Sequence, residues 1–360
     1  MRNPIVKLAA AAGLTLAVVL PATLMLKSTP TASAAVILQQ AAEAVGKLKS
    51  FHIQVEMRTL PHDNFALIVL DHDFVPIDFW KQFTEDPCGK WRLEEPGRVV
   101  VMDGQRSTLL IKHLNMVHEV EGCNPERYWK ECTVELDKVM AREAKLAFER
   151  PAAFTATRQR GEDGRDKIII SVEVPSNVPE TDYLRDRYIE GSDHLKVYQF
   201  DAESKLLENI EVYIHHEGQN ILVLRLVQAE YNIEFEPTLF TLDLPPDVIR
   251  TVPLAILPDN ERYEKMTPKE AATIYFAAYA NDDWDEVLKF EGQTGVPQPI
   301  KDMFGGLTIL EIGEPFQSAN GGTRWFIPYK IQLKSGQVRQ NNLCLVRDKD
   351  TNRFEYDGGM

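Results

Sequence analysis

Apolar and polar side chains alternate with a period of two between residues 88 and 104. Trp91 and Leu93 share one side of the first segment, and Val99 and Val101 share one side of the second. This periodicity is typical of half-buried β-strands, whose successive side chains point to opposite faces. A Pro-Gly pair and an Asp-Gly pair mark the turns after the strands. The stretch therefore predicts a β-meander with an apolar face that another element must cover.

The same alternation recurs on both sides of this meander and predicts a domain made mainly of strands. The further predicted strands lie at 51–59, 107–112, 116–121, 167–174, 195–200, 206–214 and 221–231. Two other segments have apolar residues three and four positions apart, which predicts amphipathic helices at 36–49 and 125–150. Pro151 marks the end of the second helix.

The C-terminal part of the chain is organised differently. Prolines between residues 245 and 258 predict a stiff linker at 251–262 and a domain boundary near residue 255. Thr267-Pro268-Lys269-Glu270 then combines an N-cap, a first-turn proline and a capping-box glutamate at the start of a helix. Strands are predicted at 307–312, 324–333, 338–346 and 354–357. Helices followed by an antiparallel sheet indicate a small α+β domain at 263–360.

The first residues carry the pattern of an export signal. Arg2 and Lys7 precede an apolar run from Leu8 to Leu26, and Ala32-Ser33-Ala34 offers a small-x-small cleavage site. Residues 1–34 are therefore predicted to be either a signal peptide cleaved after Ala34 or an uncleaved anchor, since the run is about long enough to span a bilayer. In both cases the basic residues before the apolar run indicate that the rest of the chain is extracytoplasmic. The protein is therefore predicted to lie in the periplasm, anchored to the inner membrane or secreted.

The acidic balance of the chain excludes two classes of partner. The chain carries 54 acidic and 40 basic residues, a formal net charge of −14. Its first 34 residues hold three basic residues and no acidic one, so the remainder carries 37 basic against 54 acidic residues, or −17. Binding to nucleic acid or to anionic lipid head groups requires a basic surface. We therefore predict no nucleic-acid partner and no electrostatic adhesion to a membrane surface.

Four cysteines occur, at positions 88, 123, 132 and 344, in a chain predicted to reach a compartment that permits disulfides. If the helix predicted at 125–150 includes Cys132, that residue lies roughly two turns or more from Cys123, too far for a bond. Cys88 and Cys123 are therefore the better pair. No Cys-x-x-Cys spacing indicates a metal site.

Three features of the N-terminal part occur together. They are the exported start with its following helix, the Lys90-Trp91-Arg92 strand leading to Met102-Asp103-Gly104, and the closing Leu239-Phe240-Thr241-Leu242-Asp243-Leu244-Pro245. This combination resembles the LolA-like family of outer-membrane lipoprotein carriers and envelope-stress regulators. The resemblance implies that residues 35–250 form an unclosed antiparallel β half-barrel with helices plugging its concave, apolar side. Carriers of this family hold acyl chains in that cavity.

The C-terminal domain resembles a second family. Residues 267–272 and the Asn281-Asp282-Asp283-Trp284 turn are similar to those of the nuclear-transport-factor-two-like cone fold, which hosts unrelated functions and so implies architecture alone. The predicted fold class is mainly β plus α+β, a half-barrel followed by a small α+β cone domain.

An anchor followed by a LolA-like domain also resembles the exported halves of anti-sigma factors. Only about seven residues precede the apolar run, too few for a sigma-binding domain, so we expect no direct anti-sigma role unless a partner supplies that half.

The sequence contains no recognisable catalytic constellation, and we predict no cofactor and no metal site. Histidines and carboxylates cluster at 62–63, 71–73 and 215–217, but nothing in the sequence makes them converge as metal ligands must. The C-terminal domain contains no histidine for the usual acid–base pair of cone-fold enzymes. Its remaining candidates for proton transfer are Tyr275, Tyr279, Asp302 and Tyr329. We therefore predict that the protein is not an enzyme.

The candidate ligand-binding residues are apolar side chains of the meander and of the segment before it. Such side chains more often form a core, but the open concave face of a half-barrel gives ligand contact more weight than usual. The candidate cavity lining consists of Phe79, Trp80, Trp91, Leu93, Val99 and Val101.

Together these patterns predict a non-catalytic binding or sensing module of the cell envelope. It would hold an acyl or lipid ligand, or an envelope protein partner, in the half-barrel, and an uncleaved N-terminal segment would attach it to the inner membrane. One alternative is a periplasmic lipoprotein or lipid carrier, which must diffuse and so requires cleavage after Ala34. The other alternative is an envelope hydrolase that uses the scattered histidines and aspartates.

Overall fold

The computed structural model describes residues 29–30, 33–58, 74–85, 89–122, 136–175, 193–216, 218–317 and 323–360. Over these residues the chain forms one large sheet, one small sheet and a few helices. The apolar run at 8–26, Cys88, Cys123 and the first part of the predicted helix at 125–150 lie outside the described residues. In the part that is described, no helix is long and apolar enough to cross a membrane.

The large sheet is open. Within the described ranges its strands are β1 (Thr29–Pro30), β2 (Ser50–Arg58), β3 (Phe74–Gln82), β4 (Lys90–Glu95), β5 (Arg98–Met102), β6 (Arg106–Ile111), β7 (Met116–Glu121), β8 (Phe154–Arg160), β9 (Asp166–Val174), β10 (His194–Asp201), β11 (Leu207–His216), β12 (Gln219–Tyr231) and β13 (Ile249–Arg250).

The strand order of this sheet is β1-β8-β9-β10-β11-β12-β2-β3-β4-β5-β6-β7-β13. Neighbouring strands are mostly antiparallel, and the short β13 pairs with β7 in parallel. β1 and β13 lie at the two ends of the order and do not pair with each other, so the sheet is unclosed. This arrangement confirms the predicted open antiparallel sheet, and the smaller α+β part described below completes the predicted fold class.

Two helices accompany the strands of the large sheet. Helix α1 (Ala34–Val45) follows Ser33 and ends at Gly46, and helix α2 (Leu136–Glu149) ends just before Pro151. The two helices pack against each other. Both have the predicted amphipathic pattern, because their buried residues recur three and four positions apart. These residues are Ala34, Ala35, Ile37, Leu38, Ala41 and Val45 in α1, and Leu136, Val139, Met140, Glu143, Ala144 and Ala147 in α2.

The two segments that carry the family resemblance are joined by one arginine. Arg92 of β4 donates hydrogen bonds from Nη1 to the carbonyl oxygens of Leu239 and Thr241, at 3.0 and 3.1 Å. Between them Phe240 is buried and packs edge-on against Phe235. The closing segment is therefore attached to β4, the first strand of the predicted meander.

Strand β8 is absent from the sequence prediction. Its residues, Phe-Thr-Ala-Thr-Arg-Gln-Arg, lack a regular apolar alternation, and none of them is buried. The strand forms through its backbone ladder with β9, in which Phe154 pairs with Val172 and Arg160 with Asp166. An alternation of apolar and polar side chains indicates a strand that buries one face. A strand held mainly by backbone pairing therefore lacks this pattern in its sequence.

By backbone contacts the chain divides into two compact units. The first comprises the described residues within 1–96, 101–105 and 123–241, and the second those within 97–100, 106–122 and 242–360. In the second unit, Leu110 and Val117 of the β6–β7 hairpin pack against Val248. The domain limits predicted from sequence, 35–250, 251–262 and 263–360, stay predictions.

The second unit also contains short helices, two of which the sequence predicted from residues 267 and 283, and the small sheet. They are α3 (Asn260–Glu264), α4 (Pro268–Ala280), α5 (Trp284–Leu288), α6 (Gln298–Phe304), β14 (Thr308–Ile312), β15 (Phe316–Gln317), β16 (Arg324–Gln332), β17 (Val338–Arg347) and β18 (Phe354–Gly358). The sheet order is β14-β16-β17-β18, with β15 also paired to β16.

The predicted capping box starts α4. The Thr267 side chain accepts a hydrogen bond from the Glu270 backbone N–H, and the Glu270 carboxylate accepts one from the Thr267 backbone N–H. The helix then buries Ala271 and Tyr275 against the apolar stripe of β16, which includes Ile327 and other buried residues. The sequence-predicted order, a capped helix followed by an amphipathic sheet, is confirmed in this part of the chain.

Residues of the predicted linker at 251–262 are hydrogen-bonded within the second unit. The Val252 N–H donates to the Gly292 carbonyl at 2.7 Å, and Arg353 Nη2 donates to the Ala255 carbonyl at 2.9 Å. A Cβ at Gly292 would lie only 2.5 Å from the Val252 carbonyl oxygen, so this approach requires glycine. The prolines therefore lie in a segment with fixed hydrogen-bond partners.

Candidate functional site

The apolar face of β2, β3 and β4 is built by alternate residues of each strand. Phe51 of β2 lies 5.7 Å from Phe79 of β3, and Phe79 lies 6.2 Å from Trp91 of β4, measured between ring centroids. Leu93 is the register partner of Phe79 on β4. Because strands place every second side chain on the same face, these four residues form one continuous apolar surface.

Five of the six predicted lining residues are buried. Trp91 is the most exposed of the five, at 6%, and Phe79, Leu93, Val99 and Val101 are more deeply buried. Burial places them where an apolar ligand could be bound, and it also fits a core. Their role in ligand binding stays a prediction.

Trp80 differs from the other five predicted lining residues. It follows Phe79 directly, and adjacent residues of a strand point to opposite faces, so Trp80 lies on the other face of the sheet. There its ring stacks on His52 with centroids 4.7 Å apart. The two ring nitrogens of His52 lie 3.1 Å from carboxylate oxygens of Asp78 and Glu230. Trp80 therefore belongs to a polar surface rather than to the apolar face.

A buried ion pair joins α2 to the apolar face of the sheet. The Lys196 ammonium on β10 lies 2.8 Å from a carboxylate oxygen of Glu143 on α2, and both side chains are 0% exposed. Lys196 has buried neighbours on the same face, including Tyr198 and Phe200. Ionised groups at such depth are costly unless they are paired, so this contact fixes how α2 sits on β10.

The sequence contained a signal for this pair that the prediction did not use. Glu143 is three residues after Met140 and four before Ala147, so it falls within the apolar stripe of α2. Lys196 precedes Tyr198 and Phe200 by two and four residues, so it shares their strand face. A charge of each sign at a core-facing position suggests a buried pair, although the pattern cannot show that the two residues meet.

The histidine and carboxylate clusters and the predicted cleavage residue do not form a site within the described residues. The clusters at 62–63 and 71–73 lie outside the described residues, as does position 217, and Ala34 is the first residue of α1. His215 Nδ1 lies 3.2 Å from the side-chain oxygen of Asn220. Among residues whose placement is described, no group of three or more histidine, cysteine, aspartate or glutamate side chains could hold a metal ion.

In the second unit two predicted proton-transfer candidates converge on a carboxyl group that the prediction missed. Tyr275 and Tyr279 of α4 donate hydrogen bonds to the same oxygen of Glu291, at 2.7 and 3.1 Å. Burial raises the pKa of the Glu291 carboxyl, and burial next to this carboxyl raises the pKa of both phenols. The cluster is packed within the domain core, where Tyr275 also stacks on Tyr356.

The other two candidates have separate partners. Asp302 accepts a hydrogen bond from Gln298 on the same helix at 2.7 Å, and the Tyr329 hydroxyl donates to the Gly359 carbonyl at 2.8 Å. Each contact is local to its own element or to the chain terminus. The four candidates therefore do not form one acid–base constellation.

Glu291→Gln should make the chain more stable at neutral pH than the unchanged protein. Because burial raises the folded-state pKa of Glu291, the folded chain binds this proton more tightly than the unfolded chain does. The resulting stabilisation is complete below the unfolded pKa and is lost as pH rises through the folded pKa. Glutamine keeps an acceptor for the two phenols without the charge. Calorimetry at about pH 4 and about pH 7 should show that the Glu291→Gln variant has a higher melting temperature than the unchanged protein only at about pH 7.

Glu261→Gln is the control for this measurement, because Glu261 is 77% exposed and pairs with Lys265 on the surface. We expect it to leave the melting temperature nearly unchanged at both pH values. A Glu291→Gln variant that is less stable at neutral pH would contradict the raised pKa as the dominant effect.

No family model and no curated protein matches the chain. Similar solved structures include MucB in complex with MucA(peri), at 13% identity and a TM-score of 0.30, covering 89% of this chain and 90% of that one. A LolA superfamily protein from Nitrosomonas europaea has 12% identity and a TM-score of 0.25, covering 59% and 99%. The Mycobacterium tuberculosis lipoprotein LppX has 12% identity and a TM-score of 0.27, covering 56% and 96%. These likenesses are remote, and the fold assignment rests on the sheet topology of this chain.

Proposed function

We propose that the protein is a non-catalytic, extracytoplasmic binding or sensing module. Its LolA-like half-barrel would hold an apolar ligand or a protein partner between the apolar face of the large sheet and the helices. The observation that carries the proposal is the open sheet, with its buried aromatic face from Phe51 to Trp91 and helix α2 placed against the same side through Glu143.

The way in which the helices cover the sheet supports this proposal. α1 and α2 have 12 and 14 residues, and they pack against each other. Within α2 the buried stripe includes a charged residue and two alanines, so its contact with the sheet buries less apolar area than a stripe of large side chains would. A ligand that buries its own apolar chain on the sheet can therefore compete with this helix.

A diffusing lipid or lipoprotein carrier is the alternative within the same class. It requires cleavage after Ala34, whereas a sensing module can keep residues 1–34 as an inner-membrane anchor. N-terminal sequencing of protein extracted from envelopes decides between them, and an intact N-terminus eliminates the carrier. The envelope hydrolase has weaker support, because among the described residues no group of three or more histidine, cysteine, aspartate or glutamate side chains could hold a metal ion.

Native mass spectrometry of the full chain purified from envelopes, followed by lipid extraction, tests the proposed function. We expect an acyl ligand or a stoichiometric protein partner to accompany the chain. As a control, the same extraction is performed on envelopes that lack the protein. A chain that carries neither lipid nor protein in repeated preparations would contradict the proposal.

A further inference from the structure

The N-terminal segment joins the fold at the β8 edge of the large sheet. β1 pairs with β8 in antiparallel register, with Thr29 opposite Arg158 and Pro30 opposite Thr157. Helix α1 begins four residues after Pro30 and also contacts β8. The apolar run of the sequence ends at Leu26, three residues before Thr29. Three extended residues span at most about 11 Å, so in a chain that keeps the run as an anchor, Thr29 lies within that distance of the end of the run.

Two exposed apolar side chains adjoin this edge. Phe148 lies in the last turn of α2 and is 62% exposed, and Pro151–Ala153 lead from that turn directly into β8. Val36 lies in the first turn of α1 and is 40% exposed. The remaining exposed large apolar residue in the described part of the first unit is Val227 on β12, four strands away from β8 in the sheet order. Exposed aromatic and aliphatic side chains next to an anchor are suited to the interface between lipid and water.

The charge along this edge is opposite in sign to that of the whole chain. From residue 145 to residue 167 there are six basic and four acidic residues, whereas the chain has a net charge of −14. Some of the basic side chains are paired, since Arg158 donates to Asp166 at 2.9 Å and Lys167 lies 3.1 Å from Glu208. Arg150 and Arg160 are exposed and have no ion-pair partner among the described residues. The excess positive charge is therefore available at the end of α2 and at the end of β8.

We infer that the end of α2 and the outer edge of β8 contact a lipid bilayer that contains anionic lipid, beside the point where the N-terminal anchor enters it. This inference rests on the anchored form of the proposed function and adds how the module is oriented on the membrane. Phe148 enters the interface between head groups and acyl chains, and Arg150 and Arg160 lie beside lipid phosphates. The acidic chain is not attached by its charge, because the anchor attaches it and these three residues determine which edge faces the lipid.

The short connection to the anchor makes a weak contact sufficient. A second contact made by a tethered surface is intramolecular, and a short tether gives it a high effective concentration. Attraction to an anionic surface falls off within a Debye length of about 8 Å at physiological ionic strength, so only residues held close to the bilayer respond to it. Arg160 lies two residues, or about 7 Å, along β8 from the residue that pairs with Thr29. One arginine at such a surface changes the population of the contact by about fivefold.

Photo-crosslinking in the full chain tests the inference. The photoreactive residue p-benzoylphenylalanine replaces Phe148, or Val227 as the matched exposed position on a distant strand. The uncleaved chain is reconstituted into vesicles of phosphatidylcholine and phosphatidylglycerol in equal amounts. We expect mass spectrometry to find lipid attached at position 148 and not at position 227.

Charge reversal at the same edge tests the part played by the arginines. Arg150→Glu/Arg160→Glu should lower the amount of lipid attached at position 148 by at least about fivefold, and both side chains are exposed, so the fold should persist. Lys47→Glu/Lys49→Glu is the control, because it makes the same change in charge at two exposed residues beyond the far end of α1. That end lies about 18 Å along the helix from its start near β8, so lipid attachment should stay unchanged.

Several results would overturn the inference. In vesicles they are the absence of lipid at position 148, equal attachment at positions 148 and 227, and attachment that the charge reversal leaves unchanged. In intact envelopes, attachment of a protein rather than lipid at position 148 would also overturn it, as would N-terminal sequencing that finds the chain cleaved after Ala34. All of these results leave the proposed function standing, because native mass spectrometry of molecules that accompany the chain tests it separately.

Discussion

Lys196→Met should lower the free energy of unfolding by about 3–5 kcal/mol, because it leaves the buried Glu143 carboxylate without the ammonium that lies 2.8 Å away. Methionine has nearly the length of lysine, so little of this loss should come from a cavity. The double variant Lys196→Met/Glu143→Leu should recover most of the loss, because neither side chain then carries a charge into the interface. Urea denaturation followed by circular dichroism measures both effects.

Lys145→Met is the control for this comparison. Lys145 lies on the same helix and is 3.9 Å from Glu149, but the two side chains are 76% and 53% exposed. An exposed pair of this kind contributes only about 0–1 kcal/mol, so the control should unfold almost as the unchanged protein does. If Lys196→Met has an equally small effect, the pair is not buried in solution as the structure places it. A double variant that is as unstable as the single one would mean that the two residues do not act as a pair.

Local pattern was sufficient to predict most of the elements. The strands β2 and β4 to β7, the hairpin of β10 and β11, and helix α1 all occur where periodicity indicated, since each buries apolar side chains. The start of α4 follows from chemistry within four residues, as its capping box confirms. β3, β8, β13, α3 and α6 were not predicted. For β8 and β13, backbone pairing determines the strand rather than an amphipathic pattern of its own.

The candidate site was only partly accessible from the sequence. The apolar face around Trp91 follows from alternation, and the same rule would have separated Trp80 from Phe79. In contrast, Lys196 and Glu143 are 53 residues apart, and Glu291 lies in a loop beyond the helix that carries its two tyrosines. Each of these contacts depends on how separate elements pack, which no local spacing specifies.

Trp91→Ala should lower the free energy of unfolding by about 3–5 kcal/mol, because the ring is 6% exposed and packs against Phe79. Trp80→Ala is a closely matched control, since it removes the same side chain from the neighbouring strand on the opposite face. There the main loss is the stacking contact with His52, which should cost about 0.5–1.5 kcal/mol. Urea denaturation of both variants measures the difference between the two faces of the sheet.

The ligand content of the same two variants then tests the predicted lining. If the apolar face holds an acyl chain, Trp91→Ala should lose bound lipid during purification and Trp80→Ala should retain it. A large loss of stability with unchanged lipid content would assign Trp91 to the core alone and remove it from the predicted lining. A small loss of stability with reduced lipid content would mean that ligand, rather than protein, covers the ring of Trp91. Comparing stability with lipid content therefore separates packing from binding at a residue where burial alone cannot.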